Sequence, residues 1–181
     1  MLNEEQQKQL LKIARETIEN WLGKRRKLKL DVRDSQLQEK RGVFVTLRKD
    51  EQLRGCIGMI LPEKPLAEAV INMAIESATG DPRFPPLSLR ELKGIKIEIS
   101  VLTVPKRVKD YQEIELGRDG VIVKGGFQQG VFLPQVATET GWTKEEFLEN
   151  LCSHKAGLPR DAYRDKDTEL YTFQAQVFSE E

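Results

Sequence analysis

Histidine, cysteine and long apolar runs are scarce in this sequence of 181 residues, and each scarcity argues against one kind of site or segment. One histidine, His154, and two cysteines, Cys56 and Cys152, fall short of the four ligands of a structural zinc site. Two cysteines make no disulfide framework, so we expect reduced thiols and a cytoplasmic protein. No apolar run approaches the roughly 20 residues of a membrane span, and the acidic, polar first residues are unlike a secretory signal. We therefore expect no membrane association, no metal and no cofactor.

Net charge is also lacking, because 29 basic residues balance 29 acidic ones. A dedicated nucleic-acid binder usually carries a basic excess, and a neutral chain has no global field that attracts a polyanion. The clearest basic cluster, residues 24–33, contains no interleaved aromatics that would stack on bases. We expect a solvated loop there, so nucleic acid is the weakest candidate partner.

The spacing of apolar residues predicts helices and strands in an irregular order. Because helices do not regularly separate the strands, antiparallel pairing and an α+β fold are favoured over a doubly wound sheet. A glycine-rich stretch at 106–165 predicts a smaller subdomain inserted into a larger one made of 1–105 and 166–181. The predicted elements are a helix over 3–23, a hairpin from 43 to beyond 52, a helix over 66–79, a strand over 94–103, a hairpin over 121–133, helices from Pro134 and Thr143, and a last strand over 170–178.

The hexapeptide Leu53-Arg54-Gly55-Cys56-Ile57-Gly58 carries the strongest chemical signal. Glycine in a strand often marks the close approach of a backbone or a ligand, and two glycines flank Cys56. The exposed N–H groups around the thiol suit an anion-binding nest or an oxyanion site, and the neighbouring Arg54 favours thiolate. A bulged strand with a small buried cysteine explains the same pattern, and spacing alone favours that interpretation.

Two further features could complete a site. A Cys–His dyad would need His154 as its base, but His154 lies far along the chain at a predicted helix C-terminus, where a cap role is favoured. The segment Asp81-Pro82-Arg83-Phe84 places an acid and a base on a loop that prolines stiffen. Stiff loops lose little order on binding, although a connector with an Asp cap explains this segment equally well.

Five short segments, spread between residues 42 and 159, occur in the order that a known protein family has. They are Gly42-Val43-Phe44-Val45-Thr46-Leu47, the hexapeptide, Asp81-Pro82-Arg83-Phe84-Pro85-Pro86-Leu87, Leu133-Pro134-Gln135-Val136-Ala137 and Lys155-Ala156-Gly157-Leu158-Pro159. Together they resemble the AMME-syndrome candidate gene 1 protein family, whose members carry an AMMECR-one domain. The hexapeptide is the signature of that family.

The resemblance implies two subdomains. The larger would hold both termini and an antiparallel sheet flanked by helices, and the smaller would be an insertion with its own short sheet. The hexapeptide would lie on a strand and its preceding loop, facing a cleft between the two that could open for a large substrate or partner. The resemblance also implies a pathway shared with radical SAM proteins and with proteins resembling the mediator of cell motility. The family has no settled biochemical activity.

Two functions stay open on this basis. In the first, the protein is an enzyme: Cys56 is a nucleophile or redox thiol, Arg54 orients an anionic group, and nearby backbone amides stabilise negative charge. In the second, a non-catalytic protein-binding or regulatory module uses the same cleft, and Arg54 and Arg83 are recognition residues. The residues predicted to bind the substrate or partner are Leu53, Arg54, Gly55, Ile57, Gly58, Asp81, Arg83 and Phe84.

Overall fold

The computed structural model describes residues 1–29 and 31–181 and is α+β, as predicted. Contacts divide the chain into two compact units, one made of Met1–Leu102 with Gln176–Glu181 and the other of Thr103–Ala175. In chain order the elements are α1 (Glu4–Lys24), α2 (Ser35–Gln38), β1 (Val43–Lys49), β2 (Gln52–Met59), α3 (Leu66–Thr79), β3 (Ile95–Leu102), β4 (Lys106–Val108), β5 (Gly120–Gly125), β6 (Gln128–Phe132), α4 (Pro134–Thr140), α5 (Lys144–Asn150), β7 (Glu169–Phe173) and β8 (Ala175–Ser179), with 3₁₀ turns at Glu91–Gly94, Tyr111–Glu113 and Ala162–Arg164 and a π-helical segment at Leu151–Ala156.

The first unit contains an antiparallel hairpin of β1 and β2, as the alternating pattern predicts. Asp50 and Glu51 form its turn, and both have positive φ, which matches the twist of the two strands. The sheet order is β2-β1-β3-β8, so β2 is an edge strand. Alternate residues of β1 and β3, such as Val45 and Ile97, are fully buried in a core shared with α1 and α3.

Helix α1 begins as predicted and ends later than predicted. Asn3 and Gln6 form the expected capping box at its start. The helix passes the expected stop at Gly23, and Arg25 takes the left-handed cap with φ 53°. The N–H of Arg25 bonds to the Trp21 carbonyl oxygen, and its guanidinium lies 6.0 Å from the Trp21 ring. Residue 30, within the predicted basic loop, lies outside the described residues.

The second unit has its own antiparallel sheet in the order β4-β7-β5-β6 and its own buried core. The predicted hairpin over 121–133 is present as β5 and β6, and Pro134 starts α4 as predicted. Thr143 caps α5 in a capping box, and the π-helical segment that follows ends at Gly157, as expected for this helical region. Phe147 and Leu151 are fully buried in the core of this unit.

The boundaries between the units differ from the expected 105 and 166. Strand β7 was predicted with the larger part of the chain, but it pairs with β5 and β4 in the second unit. The single strand predicted over 170–178 is interrupted at Gln174, and β8 joins the first sheet instead.

Among the described residues, no helix is both long and apolar enough to cross a lipid bilayer.

Candidate functional site

The hexapeptide lies within the edge strand β2 and contains a β-bulge. Leu47 of β1 is opposite Gly55, whereas the next residue, Arg48, is opposite Leu53. Arg54 is therefore the extra residue of β2, and a bulge redirects the side chain that it carries. Past the bulge the ladder is regular, and Cys56 pairs with Thr46 on the sheet face opposite the core.

The two glycines of the hexapeptide allow close packing within the protein itself. A Cβ atom at Gly55 would lie 2.2 Å from the carbonyl oxygen of Ser77, so this glycine lets the backbone of α3 lie directly against β2. A Cβ atom at Gly58 would lie 2.2 Å from the Phe44 ring, which covers the strand at its paired position. The close approach expected at these glycines is therefore made by a helix and an aromatic ring.

Helix α3 also inserts a side chain between the two strands. Ser77 is 2% exposed, and its hydroxyl donates to the Val45 carbonyl oxygen at 2.7 Å. The Ser77 hydroxyl oxygen in turn accepts the Ile57 N–H at 2.9 Å. The hydroxyl thus bridges Val45 and Ile57, which face each other in the β1–β2 ladder. A serine on the apolar face of α3 was the sequence signal for this contact, although its partners could not be predicted.

Asp81 and Arg83 bind the backbone of Cys56, so the structure brings together the two predicted candidate segments. The buried Asp81 carboxylate accepts the Cys56 N–H at 2.9 Å. Arg83 donates through Nε and Nη2 to the two Asp81 oxygens at 3.0 and 2.7 Å, and through Nη2 to the Cys56 carbonyl oxygen at 3.1 Å. Hydrogen bonding from Arg83 holds the pKa of Asp81 well below its usual range.

Arg54 is held by a carboxylate that the sequence did not single out. Its Nε and Nη2 donate to the two Glu91 oxygens at 2.7 and 3.1 Å, and Nη2 also donates to the Pro85 carbonyl oxygen at 3.0 Å. The Arg54 side chain is 13% exposed, and its hydrogen bonds lower the pKa of Glu91. Arg54 is therefore already engaged through Nε and Nη2 with Glu91 and with the Pro85 carbonyl oxygen.

The Phe84 ring lies beside both arginines of this region. Its centroid is 5.9 Å from the Cζ atom of Arg54 and 5.6 Å from that of Arg83, within the range of cation–π contacts. Phe84 is half-buried, whereas the Arg83 side chain is 54% exposed and Leu53 is 38% exposed. Pro82, Pro85 and Pro86 are exposed as well. We call Leu53, Arg83, Phe84 and these three prolines the Arg83–Phe84 surface.

The thiol of Cys56 is half-buried and lies 3.2 Å from the hydroxyl oxygen of Thr46, with which it shares a hydrogen bond.

His154 is exposed in the last turn of the π-helical segment of the second unit, a position that suits the expected cap role. Cys152 is fully buried, and burial raises the pKa of its thiol. Within residues 1–29 and 31–181, no three His, Cys, Asp or Glu side chains form a group that could hold a metal.

Comparison with known proteins identifies the family. The AMMECR1 family model matches residues 11–178. Protein MK0488 of Methanopyrus kandleri is 50% identical over 181 residues, covering 95% of this chain and 87% of that protein. A protein of Methanothermobacter thermautotrophicus is 49% identical over 187 residues, covering 99% and 97% respectively. The crystal structure of uncharacterized protein PH0010 from Pyrococcus horikoshii is similar with a TM-score of 0.80 and 44% identity, covering 95% of this chain and 90% of that one. The chain belongs to the AMMECR1 family.

Proposed function

We propose that this protein is a recognition module that binds a partner protein through the Arg83–Phe84 surface. The observation that carries the proposal is the set of hydrogen bonds around the hexapeptide. Asp81 holds the Cys56 N–H, Ser77 holds the Ile57 N–H, and Glu91 holds the Arg54 guanidinium. The polar groups that a thiol enzyme would use are hydrogen-bonded within the fold. The side chains that remain at the surface are arginine, aromatic, leucine and proline side chains, which are suited to binding a protein.

The composition and rigidity of the Arg83–Phe84 surface suit a protein interface. Arginine and aromatic side chains are enriched at the hot spots of such interfaces. The bonds from Arg83 to Asp81 and to the Cys56 carbonyl oxygen fix its guanidinium beside Phe84. Three prolines restrict the backbone of the same loop. A surface ordered before binding loses little conformational entropy when a partner docks on it.

The alternative function, an enzyme with Cys56 as nucleophile or redox thiol, has weaker support. An activated nucleophile needs an adjacent general base, a lowered pKa or a metal, and the hydrogen-bonding neighbour of this thiol is the Thr46 hydroxyl. The observation in favour of the enzyme is that the thiol is only half-buried. Substitutions that separate the thiol from the surface around it distinguish the two functions.

The test measures the affinity of the full chain for purified candidate partners. The first candidates are the radical SAM protein and the mediator-of-cell-motility-like protein of the same organism, which the family resemblance associates with this chain. Calorimetry compares the wild type with Leu53→Glu, Leu61→Glu and Cys56→Ser. Leu53 and Leu61 are each 38% exposed, so Leu61→Glu is a matched control outside the Arg83–Phe84 surface.

We expect Leu53→Glu to weaken binding by about ten-fold or more, because it places a charge in a desolvated contact. Leu61→Glu and Cys56→Ser should change the affinity by less than about two-fold, as near-neutral positions do. Loss of binding in Cys56→Ser with retention in Leu53→Glu would show that the thiol acts directly and would refute the proposal. Failure of the wild-type chain to bind either protein would also count against it.

A further inference from the structure

A separate cavity of about 620 Å³ lies within the second unit. It is lined by residues of β4, of β7 and of the two 3₁₀ turns Tyr111–Glu113 and Ala162–Arg164. Its volume falls within the range of small-molecule sites, about 300–1,000 Å³. The lining residues that carry its chemistry are Arg107, Lys109, Tyr111, Tyr163, Arg164 and Lys166.

Arg164 is held in place by two aromatic rings. Its Cζ atom lies 5.1 Å from the centroid of Tyr163 and 5.8 Å from that of Tyr111, and the two rings meet edge to face at 5.0 Å. Its Nε donates to the Tyr163 hydroxyl oxygen at 3.0 Å. Arginine has five N–H donors, so this bond leaves both terminal nitrogens of an ordered guanidinium to contact a ligand.

Most of the cationic side chains that line the cavity are not in ion pairs within the described residues. Among the described residues, Arg164, Lys109 and Lys166 form no ion pair, whereas Arg107 is paired with Glu169 at 3.1 Å. Two carboxylates, those of Asp110 and Asp165, also line the cavity. The Asp110 carboxylate is engaged as the cap of a 3₁₀ turn, where it accepts the Gln112 N–H at 2.9 Å. Among the described residues, the lining therefore contains three cations outside any ion pair, together with Asp165 and an Asp110 carboxylate that is already hydrogen-bonded.

We propose that this cavity binds a small phosphorylated molecule through its phosphoryl group, with Arg164 as the main contact and Lys109 and Lys166 as supporting charges. The planar guanidinium matches the geometry of phosphate oxygens and binds them through two parallel hydrogen bonds. A phosphate monoester carries close to two negative charges at neutral pH. It therefore matches the three cations better than a ligand with a single carboxylate would. The hexapeptide contributes nothing to this cavity, so the inference is independent of the recognition module.

Pyrophosphate is the probe for this site. Isothermal calorimetry on the full chain compares the wild type with Arg164→Gln, Arg164→Lys and Lys155→Gln. Lys155 is an exposed cation of the same unit that does not line the cavity, so Lys155→Gln removes one charge elsewhere. We expect saturable 1:1 binding that Arg164→Gln weakens about ten-fold or more, because it removes a charge-assisted bidentate contact. Lys155→Gln should stay within about two-fold of the wild type.

Arg164→Lys keeps the positive charge but loses the planar guanidinium that donates two parallel hydrogen bonds, so this variant should bind pyrophosphate several-fold more weakly than the wild type. This variant keeps the proposal testable if Arg164→Gln does not fold. An absence of saturation at about 10 mM pyrophosphate would overturn the proposal, as would equal losses in Arg164→Gln and Lys155→Gln. Tighter binding of a single-stranded oligonucleotide that depends on Arg164 would assign the surface to nucleic acid and overturn it as well.

Discussion

Replacing Gly55 with alanine should destabilise the first unit, because the new methyl group would collide with the backbone of α3. The Cβ atom would lie 2.2 Å from the Ser77 carbonyl oxygen, against 3.4–4 Å for ordinary contact, so β2 or α3 must move by about 1 Å. That shift also strains the bonds that the Ser77 hydroxyl makes to Val45 and Ile57. We expect a loss of about 1.5–4.5 kcal/mol, the sum of ~1–3 kcal/mol for overpacking and ~0.5–1.5 kcal/mol for a weakened hydrogen bond.

Urea unfolding measures this loss if the signal comes from the first unit alone. Trp21 packs on the core of that unit and Trp142 lies in the other, so a Trp142→Phe background isolates the Trp21 fluorescence. Gly94→Ala is the control, because a Cβ atom there meets nothing within 4 Å and the φ of Gly94 is not positive. Its effect should stay within about 0.5 kcal/mol. An unchanged midpoint for Gly55→Ala would refute the close packing of α3 against the hexapeptide.

Two further predictions concern stability. Ile97→Ala should cost ~2–5 kcal/mol in the same urea assay, because Ile97 is fully buried; a shift near zero would show that the core lies elsewhere. Asp81→Asn should cost about 1–3 kcal/mol at pH 7, because Asp81 accepts charge-assisted bonds from Arg83. The pKa of Asp81 is lower in the folded state, so its contribution is present above the unfolded pKa of about 3.9 and is lost on further acidification. The difference between wild type and variant should therefore shrink below about pH 5, and a constant difference down to pH 3 would contradict the assignment.

Local signals explain how much of the first unit could be predicted from the sequence. The alternation in β1, followed by the polar residues Asp50 and Glu51, identifies the hairpin within a dozen residues. The segment Asp81–Leu87 was expected to lack regular structure because its three prolines restrict φ and remove donors, and no helix or strand is assigned there. Each of these features depends on residues close together in the chain.

The parts that sequence reasoning missed depend on contacts between distant residues. Glu91 reaches Arg54 across 37 positions of sequence, and nothing local to either residue selects the other. Alternation over 170–178 is equally compatible with one strand or two, because the same pattern serves either sheet. The end of α1 was misplaced because glycine is the usual left-handed cap, whereas Arg25 takes that conformation beside the Trp21 ring.

In the proposed function, the hexapeptide supports a protein-binding surface and its thiol performs no chemistry. The most direct measurement is the ratio of the partner affinities of Cys56→Ser and Leu53→Glu, each against the same purified partner. Serine keeps the size and hydrogen-bonding capacity of Cys56, whereas glutamate adds charge to an exposed apolar contact. We predict near-wild-type affinity for Cys56→Ser and about ten-fold or greater loss for Leu53→Glu. A loss of affinity in Cys56→Ser with near-wild-type affinity in Leu53→Glu would refute the proposed function.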